Sequence, residues 1–223
     1  MIGSVQVIGA GRVGSAVTAR LRERGLDPDA ATPELVLLCV PDKAIADVAA
    51  SVEPGPWVAH VSGATPLAAL APHTRRFACH PLQTFVRRRG AEQLDGAYAA
   101  VRAETEEARA TGFALAELLG LKPFALAEEQ APLYHAGASV ASNFLVTLHA
   151  MAARLVTEAG APPEALLPLM QRTMENDFEL TGPIERGDWA SVERQRAAVA
   201  TAAPDLAPLF DALVNATTEV AAA

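Results

Sequence analysis

The stretch Val5-Gln6-Val7-Ile8-Gly9-Ala10-Gly11-Arg12-Val13-Gly14 decides the fold. A short β-type run ends on three glycines spaced G-x-G-x-x-G, and helical character follows from Arg12 to Arg24, closed by Gly25. In that strand–turn–helix setting each glycine has a task. Gly9 permits the tight turn, Gly11 lets the backbone approach a phosphate, and Gly14 lets the helix pack against the strand. The free amides and the helix dipole across Arg12 to Ser15 favour an anion. Gly9, Ala10, Gly11, Arg12, Val13 and Gly14 therefore read as a phosphate cradle.

Downstream, strand and helix alternate. Leu35-Val36-Leu37-Leu38-Cys39-Val40 is a continuous apolar run, the mark of a parallel strand buried on both faces. Lys43 to Ser51 reads as a helix, and Trp57 to Val61 and Phe77 to Cys79 as strands. Ala97 to Arg102 and Pro123 to Leu126 flank a helix across Glu104 to Leu119. Residues 1–128 thus read as one α/β domain built on a Rossmann-type parallel sheet. The pattern then changes. One long helix is expected over Gln130 to Ala159, followed by helices over Glu164 to Phe178, Ala190 to Ala202 and Asp205 to Val220. Residues 129–223 read as an all-α second domain.

One piece of the usual dinucleotide fold is missing. A second strand normally ends in Asp or Glu about 20 residues past the glycine loop, where it grips the adenosine ribose. Between Gly25 and Leu35 this chain has only LDPDAATPE, with two prolines and no apolar run. The second strand and the segment after it read as deleted. Asp27 and Asp29 are the nearest carboxylates, and turn formation around Pro28 explains them better than a ribose contact.

Bulk composition excludes several classes. The 223 residues carry a net charge of -8, with 51% hydrophobic and 20% charged residues, which is an ordinary globular composition. An acidic chain does not bind nucleic-acid backbone, and Arg87-Arg88-Arg89 is too short a basic run to change that. No apolar stretch reads as a membrane span, and the start reads as a strand rather than a signal peptide. Cys39 and Cys79 sit in apolar strands and read as buried free thiols, which fits a reducing cytoplasm. No metal-ligand spacing occurs, and no G-x-S-x-G elbow supports a hydrolase.

Four stretches carry a resemblance: VIGAGRVGSAV, LLCVPDKAIADVA, the pair HVSGA and CHPLQTF, and YHAGASVASNFLVTL with LTGPIERGD. Together they resemble bacterial Rossmann-like oxidoreductases with a C-terminal helical domain of unknown function. That group lies in the 6-phosphogluconate-dehydrogenase-like superfamily, with pyrroline-5-carboxylate reductase and prephenate dehydrogenase. The resemblance implies NADP or NAD as cofactor, a Rossmann domain followed by helices, and a homodimer formed through the helical domain. The missing second strand is where this chain departs from the family.

Ligands of open parallel sheets sit at the carboxyl ends of the strands. Val40-Pro41-Asp42, His60-Val61-Ser62-Gly63 and His80-Pro81 all fall at such ends, beside the glycine loop. Val40 and Pro41 would shape the cofactor side, and Ser62 and Gly63 would offer backbone amides. His80 is the first candidate for acid–base work, since neutral imidazole serves a carbonyl or hydroxyl at pH 7. A strand-end histidine satisfied by a backbone carbonyl is the plain alternative. On the long helix His135, Ser139 and Asn143 recur at i, i+4 and i+8 and would share a face, with Ser142 beside them. In related 3-hydroxyacid dehydrogenases the corresponding helix carries Lys-x-x-x-Asn; Ser139 stands where the lysine should be, so that mechanism does not carry over. The polar stripe could equally be a hydrogen-bonded seam between helices. Arg186 could clamp an anionic group of the substrate or fix its own loop. The reading is catalytic His80, Ser139, Asn143 and His135, with His60, Ser142 and Arg186 on the substrate.

Two functions follow. One is an NAD(P)-dependent oxidoreductase acting on a small polar metabolite in a cleft between the domains. The other is a degenerate dehydrogenase that has lost full dinucleotide binding and serves as a small-ligand binding or regulatory protein.

Overall fold

A computed structural model describes residues 2–222; Met1 and Ala223, the outer ends of the two expected domains, lie outside the described residues. The chain divides into two compact units, Met1–Ser142 and Asn143–Ala223.

The first unit is a six-stranded sheet whose spatial order follows the sequence: β1 (Val5–Ile8), β2 (Leu35–Leu38), β3 (Trp57–His60), β4 (Arg76–Leu82), β5 (Tyr98–Ala103) and β6 (Lys122–Ala125). The first four strands are mutually parallel, β5 is antiparallel to β4, and β6 is parallel to β5. The sheet is therefore mostly rather than wholly parallel. A reversal is possible there because residues 83–97 join β4 to β5 through a loop with one 3-10 turn, not a crossover helix.

Parallel strands need both faces covered, and β2 and β3 are buried along their whole length. One face carries Leu35, Leu37, Trp57, Ala59, Phe77 and Val101. It packs on α1 (Arg12–Glu23) and α3 (Glu106–Leu118) through Ala16, Val17, Leu21, Ala108 and Leu115. Thr105 caps α3 by accepting the Ala108 amide, and Glu106 and Glu107 in its first turn suit the helix dipole. The other face carries Val36, Leu38 and Val58 against Ile45 and Ala49 of α2 (Ile45–Ala50) and Leu70.

Among the described residues no strand lies between α1 and β2, which leaves β1 at the sheet edge. Between α1 and β2 the chain makes one antiparallel bridge, Gln6 to Asp29, with the Val7 amide donating to the Pro28 carbonyl at 2.8 Å. That short strap covers an edge that would otherwise expose unpaired backbone. Cys39 and Cys79 are free and buried, and burial pushes both thiols up to about 12, so neither is a ready nucleophile.

The expected single long helix is present and contains one π-helical turn. α4 (Ala131–Ser139) runs into a π-helical turn, Val140–Phe144, before α5 (Leu145–Glu158). The continuous helical stretch Glu128–Glu158 spans 31 residues and is long and apolar enough to cross a membrane by length and composition. The expectation that no segment reaches that length is corrected by this helix. The second unit continues with α6 (Leu166–Glu175), α7 (Trp189–Ala202) and α8 (Ala207–Ala221), so the all-α expectation matches its elements.

Candidate functional site

The glycine loop has the geometry its spacing demands. Gly9 has φ +117°, and a Cβ there would stand 2.4 Å from the Cys39 carbonyl oxygen. A Cβ on Gly14 would stand 2.0 Å from the Gly9 carbonyl oxygen. Gly11 differs: its Cβ would meet only the Cys39 oxygen, at 3.9 Å, so the space above it is open. α1 begins there with no side-chain cap and no acidic residue in its first turn, and exposed Arg12 is its first residue. Its leading amides thus await an acceptor. This cradle fits a phosphate or pyrophosphate.

The ribose side does not show the usual clamp. The Asp29 carboxylate pairs with Arg22 at 3.3 Å, and Asp27 accepts the Asp29 amide, closing a turn. Arg22 lies ten residues beyond Arg12, about 15 Å along the α1 axis from the phosphate turn.

The second feature is a polar set on one face of the sheet. Pairing register places Leu38, His60, Ala78 and Arg102 in one row, with His80, Ala100 and Phe124 in another row on the same face. Arg102, only 1% exposed, donates to Glu128 at 2.9 Å and to the Ser62 and Thr65 carbonyls at 3.0 and 2.9 Å. Glu128 also accepts the Leu67 amide at 2.7 Å. One buried guanidinium therefore fixes the loop of residues 62–67 to the start of the helix after β6.

Within that loop Ser62 is fully occupied. Its hydroxyl donates to Asp42 at 2.8 Å and accepts the Ala64 and Thr65 amides, while its amide donates to His60 Nδ1. The expected ligand-binding amide of Ser62 is thus spent inside the fold, and Gly63 beside it is buried against His80 and His135. His60 is fully buried, so the expected substrate contact is corrected: the ring braces the Ser62 turn. Its Nε2 points near the Pro66 carbonyl without reaching hydrogen-bonding geometry. Burial, then the nearby Arg102 charge, lowers His60 to about 4, so it stays neutral.

His80 is half-buried at the end of β4. Its Nδ1 lies 3.0 Å from the Tyr134 hydroxyl of α4, and its ring meets His135 edge-on at 6.0 Å between centroids. Tyr134 also packs edge-on against Phe124. Gly63 backs the cluster: a Cβ there would lie 2.7 Å from His135 Cδ2 and 3.0 Å from His80 Cε1 and Nε2. Burial, with His135 and Arg102 adding, lowers His80 to about 4.

Of the expected residues, the first unit brings together His80, His135 and Gly63 at one point, with Val40 half-buried and Pro41 exposed at the end of β2. Ser139 closes α4, half-buried. Ser142 turns its hydroxyl back to the Ala138 carbonyl, which removes it as a substrate donor. The π turn begins between Ser139 and Asn143, and residues four apart stay near one face in a π turn as in an α turn. Asn143 and Arg186 belong to the second unit, where both are exposed. Sequence reading missed Tyr134, Arg102 and Glu128, and placed Asp42 at a strand end without giving it a role. Tyr134 adjoins His135 and could have been found as a second titratable group on the helix's first turns. Among the described residues no group of three or more His, Cys, Asp or Glu is placed to hold a metal.

A hollow of about 640 Å³ lies at the opposite, amino ends of β2 and β3, between Pro33, Trp57, Arg75 and Glu107. Its polar lining, Glu34, Arg75, Glu107 and Thr111, lies at the end of the sheet away from the glycine turn, so chemistry is assigned to the carboxyl ends.

A mostly parallel sheet with a glycine turn at the carboxyl end of β1 and a helical C-terminal unit defines a Rossmann-like α/β protein. A Rossmann-like domain matches residues 22–85, and the domain of unknown function DUF2520 matches residues 97–217. The chain belongs to the DUF2520 family. No curated protein matches. Among solved structures, protein BF3122 from Bacteroides fragilis, assigned as an NADP oxidoreductase, superposes with TM-score 0.80 at 21% identity, covering 98% of each chain. Protein TM1727 from Thermotoga maritima gives 0.79 at 26% identity, covering 97% of this chain and 98% of its own. A reductive aminase from Aspergillus terreus, solved with NADPH and ethyl levulinate, gives 0.69 at 16% identity, covering 98% and 94%.

Proposed function

We propose that the chain is an NAD(P)-dependent oxidoreductase acting on a small polar metabolite. The carrying observation is that an uncapped phosphate turn and the His80–Tyr134 pair occupy the same end of one sheet. The likeness to an NADPH-bound reductive aminase supports the cofactor class. Gly9 to Gly14 would hold the pyrophosphate, Val40 and Pro41 would flank it, and the Gly63 backbone would pack beside the His80 edge. A bound nicotinamide would supply hydride transfer; the chain itself would supply orientation and the proton. His80 is the leading acid–base residue, with His135, Ser139 and Asn143 proposed to line the substrate and Arg186 to meet an anionic group. The reduced, buried thiols suit a cytoplasmic setting.

Titration calorimetry with NADPH and with NADH tests this reading. Saturable binding of one of them below about 100 µM, roughly −5.5 kcal/mol, is expected. No heat from either overturns it. That result would favour the second reading, a small-ligand binding protein descended from a dehydrogenase, which the pairing of Asp29 with Arg22 supports.

We also propose a homodimer through the helical unit. Its buried apolar set is small (Met151, Val192, Val199, Ala203, Val214), while Leu169, Met174, Phe178 and Trp189 are exposed. Neither a membrane nor nucleic acid is proposed as a partner. Light scattering should give twice the 23.3 kDa chain mass at micromolar concentration. A 23.3 kDa species under those conditions overturns the dimer.

A further inference from the structure

We infer that Tyr134 is a positioning residue that holds His80 as its Nε2–H tautomer, so that the pair relays a proton to a carbonyl oxygen of the substrate. The inference rests on the oxidoreductase reading above and assigns the acid–base machinery of that site.

The 3.0 Å contact between the Tyr134 hydroxyl and His80 Nδ1 can run in either direction on distance alone. Donor strength settles it. A phenol is a good donor and a poor acceptor, whereas an unprotonated imidazole nitrogen is a good acceptor. Tyr134 therefore donates to Nδ1, and the ring proton resides on Nε2. That atom has no partner among the described residues and is not one of the buried orphan atoms, so solvent reaches it beside the Gly63 backbone that packs on the same edge. Any side chain at residue 63 would press on it.

The groups facing His80 oppose a positive ring. His135 of α4 approaches edge-on, Arg102 of β5 lies on the same face, and His60 of β3 is neutral. Asp42 alone among these is acidic, and it is engaged by Ser62. With His80 lowered to about 4, about one ring in a thousand is imidazolium at pH 7. A neutral imidazole that surrendered Nε2–H alone would become imidazolate, which is prohibitively basic. Tyr134 removes that difficulty. Burial raises it to about 12, so it stays a phenol at neutral pH and can pass its proton to Nδ1.

The steps balance as follows. With hydride supplied by the reduced nicotinamide of the reading above, the carbonyl carbon would gain two electrons and negative charge would develop on its oxygen. The His80 Nε2–H bond breaks as the O–H bond of the alcohol forms. The Tyr134 O–H bond breaks as Nδ1–H forms, leaving neutral His80 and tyrosinate. Water then reprotonates Nε2, and Tyr134 takes back the Nδ1 proton. The net proton comes from solvent. A protonated iminium substrate would need no such proton and would meet a site whose neighbours disfavour positive charge. The substrate class is therefore a neutral or anionic carbonyl compound.

Imidazole 15N NMR on the intact protein tests the relay without any substrate. His80 signals are identified by their loss in His80→Asn. The expected result is a protonated Nε2 and unprotonated Nδ1 in the parent protein. Tyr134→Phe should shift that ring to a mixture of tautomers while NADPH affinity stays within about twofold. A protonated Nδ1 in the parent, or an unchanged tautomer in Tyr134→Phe, overturns the relay. Circular dichroism verifies the fold of both variants, and Tyr134→Leu replaces Tyr134→Phe should the latter misfold. Failure of both NADPH and NADH to bind the parent overturns the oxidoreductase reading instead, and the tautomer result tells the two apart.

Discussion

Gly14→Ala should abolish measurable NADPH binding and destabilise the first unit by about 3 kcal/mol, at the upper end of overpacking costs. The reason is local and rigid. The new Cβ would lie 2.0 Å from the Gly9 carbonyl oxygen and 3.1 Å from the Cys39 Cβ. A backbone carbonyl cannot swing aside as a side chain can, so either the turn or α1 must move. Either movement takes the leading amides of α1 out of line with an anion. Gly11→Ala separates the two effects. Its Cβ meets only the Cys39 oxygen at 3.9 Å, so the fold should change by less than about 1 kcal/mol. The methyl group nevertheless occupies the space over the cradle, and NADPH affinity should fall about 100-fold, about 2.7 kcal/mol. Urea unfolding and calorimetry on both variants give the comparison. Equal stability loss in the two would refute the packing account of the loop.

How much of this was legible in the sequence depended on the range of the interaction. The glycine turn, β2 and β3 are encoded by neighbours: turn residues at fixed offsets and continuous apolar runs. The missing ribose strand was legible too, because LDPDAATPE cannot supply an apolar strand, and only the Gln6–Asp29 bridge stands there. Arg102 was invisible for a physical reason. Tyr98-Ala-Ala-Val-Arg-Ala reads as a strand with one solvated charge. Its burial depends on β5 pairing antiparallel to β4 and on Glu128, 26 positions later. The π turn was hidden because Val-Ala-Ser-Asn-Phe serves an α-helix as well as a π turn. His80 was identified at a strand end, but its partner Tyr134 is 54 residues away. Only the packed fold discloses that His60 braces a turn while His80 keeps a free nitrogen.

Arg102→Met should cost about 3–5 kcal/mol, the range for removing one partner of a buried ion pair. Methionine fills similar volume, so the loss is electrostatic rather than a cavity. Three charged hydrogen bonds disappear together, to Glu128, the Ser62 carbonyl and the Thr65 carbonyl. Glu128 is 38% exposed and can rehydrate, whereas the Ser62 carbonyl belongs to a buried residue and cannot do so easily. The melting temperature should fall on the order of 10 °C for a chain of this size. Glu128→Gln should cost about 3 kcal/mol as well, because its single amide oxygen cannot accept from both the Leu67 amide and Arg102, and the buried guanidinium loses its counter-charge. The site should respond as well. Burial is the main cause of the low His80 value and His135 the next, so loss of Arg102 moves it only part of the way toward 6.5. NMR titration of His80 in Arg102→Met should therefore show a midpoint above that of the parent and below 6.5. A variant as stable as the parent, with an unmoved His80 midpoint, would mean that Arg102 neither holds the Ser62–Thr65 loop nor sets the charge around His80.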